Sequence, residues 1–97
     1  MYLAVKKVQP IDNYRLILTF SNGEKRQFDM NPYLETGIFK ELQDVSIFNS
    51  VRVSFDSIEW DNDADMDPEI LYTESTIIES QMASEPKSEY RENNQPL

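Results

Sequence analysis

Residues 14–30 read YRLILTFSNGEKRQFDM, and the way they pair decides the fold. Tyr14, Leu16, Leu18 and Phe20 alternate with Arg15, Ile17 and Thr19. That is the period of a strand with one buried face. After Ser21-Asn22-Gly23 a second run, EKRQFDM, offers a partner. A two-residue Asn-Gly loop would set Phe20 against Lys25 and Leu16 against Asp29, mixing charge into the apolar face. A three-residue loop pairs Leu16 with Phe28 and Tyr14 with Met30, and lets Gly23 take a left-handed conformation. The second register is the consistent one, and it predicts an antiparallel hairpin.

Toward the N-terminus, residues 2–9 read as a strand carrying Leu3, Val5 and Val8, with Pro10 expected to end it. Val5 and Val8 break the period of two, so a bulge is expected at Lys6-Lys7, where two lysines also suit an exposed edge. Toward the C-terminus, Asn31-Pro32 is a helix-start signal and Gly37 a break. A second helical piece follows, with Ile38, Phe39 and Leu42 on one face, and Asp44 is placed to cap a short turn holding Ile47 and Phe48. In residues 51–55, VRVSF, alternation points Val51, Val53 and Phe55 inward. A turn at Asp56-Ser57 would match Ile58 and Trp60 with Phe55 and Val53. Asp67-Pro68 again reads as a cap and first helical residue, leading into Leu71-Tyr72. The expected fold class is α+β: a small antiparallel β-sheet with short helices packed on one face, plus an acidic C-terminal tail.

The 97 residues allow one small domain, placed at residues 1–72. Residues 73–97, TESTIIESQMASEPKSEYRENNQPL, have a disorder-like composition. Within them Ile77, Ile78 and Met82 form the stripe of an amphipathic helix expected over residues 74–83.

Net charge is −9, with 13 acidic and 7 basic side chains in residues 1–72 and 5 against 2 in residues 73–97. That sign disfavours direct nucleic-acid binding and anionic membrane surfaces. It favours a basic protein partner or a cation, or simply keeps a small protein in solution. The absence of cysteine and histidine removes disulfides, thiolate sites and the usual nucleophilic triads. With only Gly23 and Gly37, no phosphate loop can be built. No enzymatic activity and no cofactor are expected. No apolar run is long enough for a signal peptide or a membrane span, and a cytoplasmic location is expected.

The stretch Ile58–Tyr72, IEWDNDADMDPEILY, holds the single tryptophan and most of the concentrated acidity. Asp61, Asp63, Asp65 and Asp67 resemble the start of an EF-hand loop, but Met66 stands where its glycine belongs and Tyr72 where its bidentate glutamate belongs. Weak divalent-cation binding along this segment is the alternative reading. Trp60 is either core, packed with Val53, Phe55 and Ile58, or an aromatic anchor for a partner's pocket. In the second case Asp61, Asp63 and Asp65 form an acidic rim and Tyr72 joins the patch.

The ordered motifs are similar to those of the DUF2442 family of small, mostly bacterial proteins of unknown function. They are Val8-Gln9-Pro10, Tyr14-Arg15-Leu16, Phe20-Ser21-Asn22-Gly23, Arg26-Gln27-Phe28-Asp29-Met30, Gly37-Ile38-Phe39 with Leu42, Phe48, and Ile58-Glu59-Trp60 followed by Asp65, Pro68 and Leu71-Tyr72. The resemblance covers roughly residues 2–72. It implies no activity and no cofactor. It implies a gene often found beside a second small family, DUF4160, in an arrangement that looks like a toxin–antitoxin pair. Some relatives add a DNA-binding helix-turn-helix domain, for which the tail of this chain is too short and too acidic. Asp63 also stands where the family usually shows a glycine. Asp29, Glu59 and Asp65 sit at positions that recur in the pattern, and Asp29 is expected to bond backbone near Asn31.

The expected function is therefore a protein-interaction module, the antitoxin-like half of a pair with a small basic, DUF4160-like protein. Its surface is expected to comprise Trp60, Asp61, Asp63, Asp65 and Tyr72, with Ile77, Ile78 and Met82 folding onto the partner. An unpaired edge strand also allows a homodimer.

Overall fold

The computed structural model describes residues 3–80. Its first hairpin follows from the alternation just given. Strand β1 spans Val5–Ile11, β2 Arg15–Phe20 and β3 Glu24–Asp29. In the β2–β3 pair Leu16 faces Phe28 and Arg15 faces Asp29, the register of the three-residue loop. Gly23 sits at φ 89° and donates its N–H to the Phe20 carbonyl at 3.0 Å. A side chain there would crowd the backbone, which is why the loop needs glycine. Beyond the ladder, Met30 N–H donates to the Tyr14 carbonyl at 2.9 Å, so Tyr14 and Met30 meet as expected. The inner face buries Leu16, Leu18, Phe20, Phe28 and Met30.

The β1–β2 register shifts between Val5 and Lys7, so the expected bulge lies at the two lysines. Pro10, however, does not end β1: it pairs with Leu16 and the strand runs on to Ile11. β1 is an edge strand, and a proline whose missing N–H would face away from the sheet costs no ladder bond.

Helical pieces follow where signalled, but they are short and mostly of the tighter kind. A 3-10 turn covers Asn31–Tyr33, a 3-10 helix Gly37–Gln43, and α1 only Val45–Phe48. Asn31 does not act as the cap. Instead the Asp29 carboxylate accepts from the Asn31 N–H at 2.9 Å, and the Asn31 amide reaches back to the Asn13 carbonyl at 2.7 Å. Asp44 does cap α1, accepting from the Ser46 N–H at 2.9 Å and its hydroxyl at 2.7 Å. The Ser46 hydroxyl and then its N–H hold the Asp44 carboxyl below its ordinary value. Of the face expected over residues 38–42, Leu42 is buried and Phe39 half-buried, while Ile38 is exposed.

A second antiparallel sheet, absent from the sequence reading, is built from β4 (Arg52–Ser54), β5 (Ser57–Glu59) and β6 (Asp65–Met66). Ile58 pairs with Val53, not Phe55, and the loop between β4 and β5 is Phe55-Asp56. The expected turn was displaced by one residue. The observed register buries Ser57, whose hydroxyl donates to the Met66 carbonyl, and keeps Ile58 and Trp60 inside. It also turns Phe55 out into solvent, 97% exposed. The Val5 N–H donates to the Asp56 carbonyl at 2.9 Å and ties this loop to the edge of the first sheet.

Helix α2 spans Pro68–Thr73, with Asp67 accepting from the Glu69 N–H at 2.7 Å as its cap. The chain then returns to the first sheet. Residues Thr76–Ser80 form β7, antiparallel to β3, and give the strand order β1-β2-β3-β7. The amphipathic helix expected over residues 74–83 is therefore not formed at Ile77 and Ile78, and the sheet continues beyond Tyr72, where the domain was expected to end. Met82 lies outside the described residues. Thr76, Ile77 and Ile78 are β-branched, and the open edge of β3 offers ready backbone partners. A ten-residue helix with no surface to pack on cannot compete with that.

Both sheets and all the helical pieces feed one core, with Trp60, Phe20, Phe28, Phe48 and Leu71 among its largest members. The fold is thus α+β, with two antiparallel sheets rather than one.

Candidate interaction surface

Charge is distributed unevenly along the chain. Residues 1–29 carry five basic and three acidic side chains, and residues 30–72 carry two and ten. From Val53 to Ser75 there are eight carboxylates and no cation. The second sheet and the loop before β6 gather most of these. Asp56, Asp61, Asp63, Asp65, Asp67 and Glu69 are all exposed.

Each carboxylate has its own local geometry. Arg52, on the facing strand, forks to Glu59 at 2.8 Å and Asp61 at 2.6 Å. Such exposed pairs contribute at most about 1 kcal/mol. Asp63 occupies the left-handed region at φ 71° and donates its N–H to the Trp60 carbonyl at 3.0 Å. Asp65 pairs with Glu59 in the β5–β6 ladder. Asp67 is committed to capping α2. Asn62 fixes the loop from the other side, donating to the Glu41 carboxylate at 3.0 Å and accepting from the Ala64 N–H at 3.1 Å. The four aspartates do not converge. Among the described residues no three carboxylates stand together as metal ligands, so the EF-hand-like spacing has no counterpart in space.

Trp60 is the main correction to the expected surface. Its relative exposure is 0%, Phe39 packs edge-on against it, and its indole N–H donates to the buried Phe48 carbonyl at 3.1 Å. A ring so enclosed cannot enter a partner's pocket. The exposed aromatic of the region is Phe55, which alternation had placed inside. It sits at φ 49° with Asp56 at φ 67°, so two non-glycine residues in succession hold the left-handed conformation of a tight hairpin turn. Asp56 is a turn residue but Phe55 before it is not, which is why the sequence set the turn one residue late, at Asp56-Ser57.

Tyr72 stands apart, on α2. It packs edge-on against Phe20 at 5.2 Å, and the Arg26 guanidinium lies 4.3 Å over its ring. Arg26 also bonds the Ser75 hydroxyl at 2.7 Å and the Glu24 carboxylate at 2.7 Å. Burial pushes the Glu24 carboxyl up, but hydrogen bonds from Tyr72 and Arg26 outweigh it and hold the group below its ordinary value. Nearby, the Tyr33 hydroxyl donates to Glu74 at 2.6 Å, and that bond pushes the phenol up. Tyr72 is thus a half-buried clasp between α2 and the first sheet. Ile77 and Ile78 are exposed on β7, 46% and 53%, beside this clasp. Asp61, Asp63 and Asp65 therefore belong together, whereas Tyr72, Ile77 and Ile78 belong to the β3–β7 edge.

No helix among the described residues is long and apolar enough to cross a membrane. The model of a family described as "Protein of unknown function (DUF2442)" matches residues 5–76. No curated protein matches the chain, and neither does any solved structure.

Proposed function

The chain belongs to the DUF2442 family, and from that premise we propose that it is a protein-interaction module presenting an acidic surface to a basic protein partner. The observation that carries this reading is the run of eight carboxylates between Val53 and Ser75 with no cation in that stretch, a charge that Arg52, paired with Glu59 and Asp61, offsets only in part. Fields of one sign steer an oppositely charged partner into register and speed its association. At the margin of this surface Phe55 supplies an apolar contact whose exposure gives the isolated fold no burial energy. Large aromatic side chains are enriched among the few residues that dominate binding energy. The specific form of the reading is an antitoxin-like half of a pair, with a small basic protein as the other half, acting in the cytoplasm.

Co-expression of the tagged chain with its neighbouring genes tests the reading. A stoichiometric basic companion is expected at low salt and is shed as salt rises. The double variant Asp61→Lys with Asp65→Lys should lose it, because both side chains are exposed and the change reverses the sign of the surface without touching the core. Recovery of the chain alone at every salt concentration would sink the reading.

A further inference from the structure

A cavity of about 280 Å³ opens between the β1–β2 turn and α1. Its apolar walls come from Pro10, Ile11, Tyr14, Val45 and Phe48. Asp12, Asn13 and Asn49 contribute the polar part of the lining. A concave site that offers apolar surface and polar groups together can hold a side chain that is apolar along its stem and polar at its tip.

The turn that forms one side is strained and held in place. Asn13 at φ 63° and Tyr14 at φ 59° are consecutive non-glycine residues in the left-handed region. Asparagine tolerates that conformation, but at Tyr14 it costs on the order of 1 kcal/mol, and strain of this kind gathers at functional sites. The surroundings hold it from three directions. The Tyr14 hydroxyl donates to the Gln43 carbonyl, the Asn31 amide donates to the Asn13 carbonyl at 2.7 Å, and the Tyr14 ring packs edge-on against Phe48 at 5.3 Å. The cavity is therefore preorganised, with its wall fixed before anything enters.

Its polar lining is short of partners. Among the described residues the Asp12 carboxylate makes no ion pair or hydrogen bond, and neither does the Asn49 side chain. The neighbouring cation, Arg15, spends its Nε on the Asp12 backbone carbonyl at 3.1 Å rather than on the carboxylate. Asp44, at the start of α1, adds a second carboxylate nearby in sequence to Val45. An unpaired carboxylate and an amide oxygen in one lining with apolar side chains call for a cation on an aliphatic stem.

We propose that this cavity receives an arginine side chain. The methylenes would lie against Ile11 and Val45, and the planar guanidinium would fork to the Asp12 carboxylate and the Asn49 amide oxygen beside the Tyr14–Phe48 aromatic pair. Arginine suits the site better than lysine because it pairs planar, bidentate donors with a weakly hydrated face that stacks on aromatics. The inference deepens the reading of a basic protein partner by naming the side chain that partner would insert. It does not need the partner for its test.

The full chain, labelled with nitrogen-15, is titrated with N-acetyl-arginine amide and, separately, with N-acetyl-citrulline amide, its uncharged isostere. The arginine compound should shift the amide signals of Asn13, Tyr14, Val45 and Asn49. The citrulline compound should bind at least about fivefold more weakly, as should the arginine compound to Asp12→Asn, since hydrogen bonds to a charged group are the stronger ones. Asp12 is exposed, so Asp12→Asn should leave the melting temperature unchanged. Shifts confined to the Asp61–Asp65 region, equal binding of the two compounds, or an Asp12→Asn variant that binds as well as the parent would each overturn the assignment. Binding at the cavity with no companion protein recovered would leave the arginine site standing and remove the reading of a basic partner. A companion recovered with no effect at the cavity would do the reverse.

Discussion

The β2–β3 and β4–β5 hairpins reverse the chain by the same antiparallel pairing, yet they fill their turns in opposite ways. In the first, Gly23 takes the left-handed position that a three-residue loop requires, at φ 89°. Every apolar side chain of the two-strand inner face is then buried. In the second, Phe55 and Asp56 both hold left-handed backbone, where asparagine and glycine would be at ease, and the phenylalanine is 97% exposed. The first hairpin is locally self-consistent. The second is held by its surroundings: the Ser57–Met66 hydrogen bond, the Val5–Asp56 hydrogen bond and the burial of Ile58 and Trp60. Local conflict that the tertiary structure must override is expected where a site serves something besides folding.

The strongest way to break this contrast is to remove what holds the second hairpin. Trp60→Ala should cost about 3–5 kcal/mol, from the emptied volume and the unpaired Phe48 carbonyl. In a urea titration that should lower the midpoint strongly, because small domains hold only about 5–15 kcal/mol in total. A small shift would mean that the second sheet is not held through the core.

A middle-sized effect should come from the first turn. Gly23→Ala places a Cβ in the left-handed region and should cost about 1–2 kcal/mol. Thermal melting reads this directly, and an unchanged midpoint would mean that the loop relaxes to another turn type.

The smallest effect should have the opposite sign and sharpens the comparison most. Phe55→Asn replaces a bulky residue with one that tolerates left-handed backbone, and should stabilise the fold by on the order of 0.5–1 kcal/mol. The same variant should weaken retention of any basic companion. A lower melting temperature would show that Phe55 supports the fold after all, and would remove the case for its role as an exposed contact.

Legibility followed the same division. The register of residues 14–30, the bulge at Lys6-Lys7, the caps at Asp44 and Asp67 and the bond from Asp29 toward Asn31 were all readable. Each rests on neighbours within a few residues or on a turn glycine. Pro10 was misread because an edge strand tolerates proline, and edge status is a property of the whole sheet. Phe55 was misread because a one-residue displacement of the turn exchanges inside for outside, and Asp56 marks a turn without saying whether it is the first or the second residue of it. Ile77 and Ile78 suit a helix stripe and a strand about equally in a short segment, and the vacant edge of β3 settled the matter. Of the expected surface, the aspartates at 61, 63 and 65 were found exposed together, while Trp60 lies in the core.

By itself, the sequence determined the α+β class, the family, the first hairpin with its register, and the acidity of the second half. These depend on periodicity, glycine placement and the count of charges, all of which are carried by residues near one another in the chain. Only the tertiary structure decided which aromatic is exposed, where Thr76–Ser80 pairs, and that Asp12, Asn49 and the Tyr14–Phe48 pair enclose a common cavity. Those outcomes turn on long-range pairing, in which the burial of Trp60 and Ile58 and the open edge of β3 outweighed the preferences of the local segments.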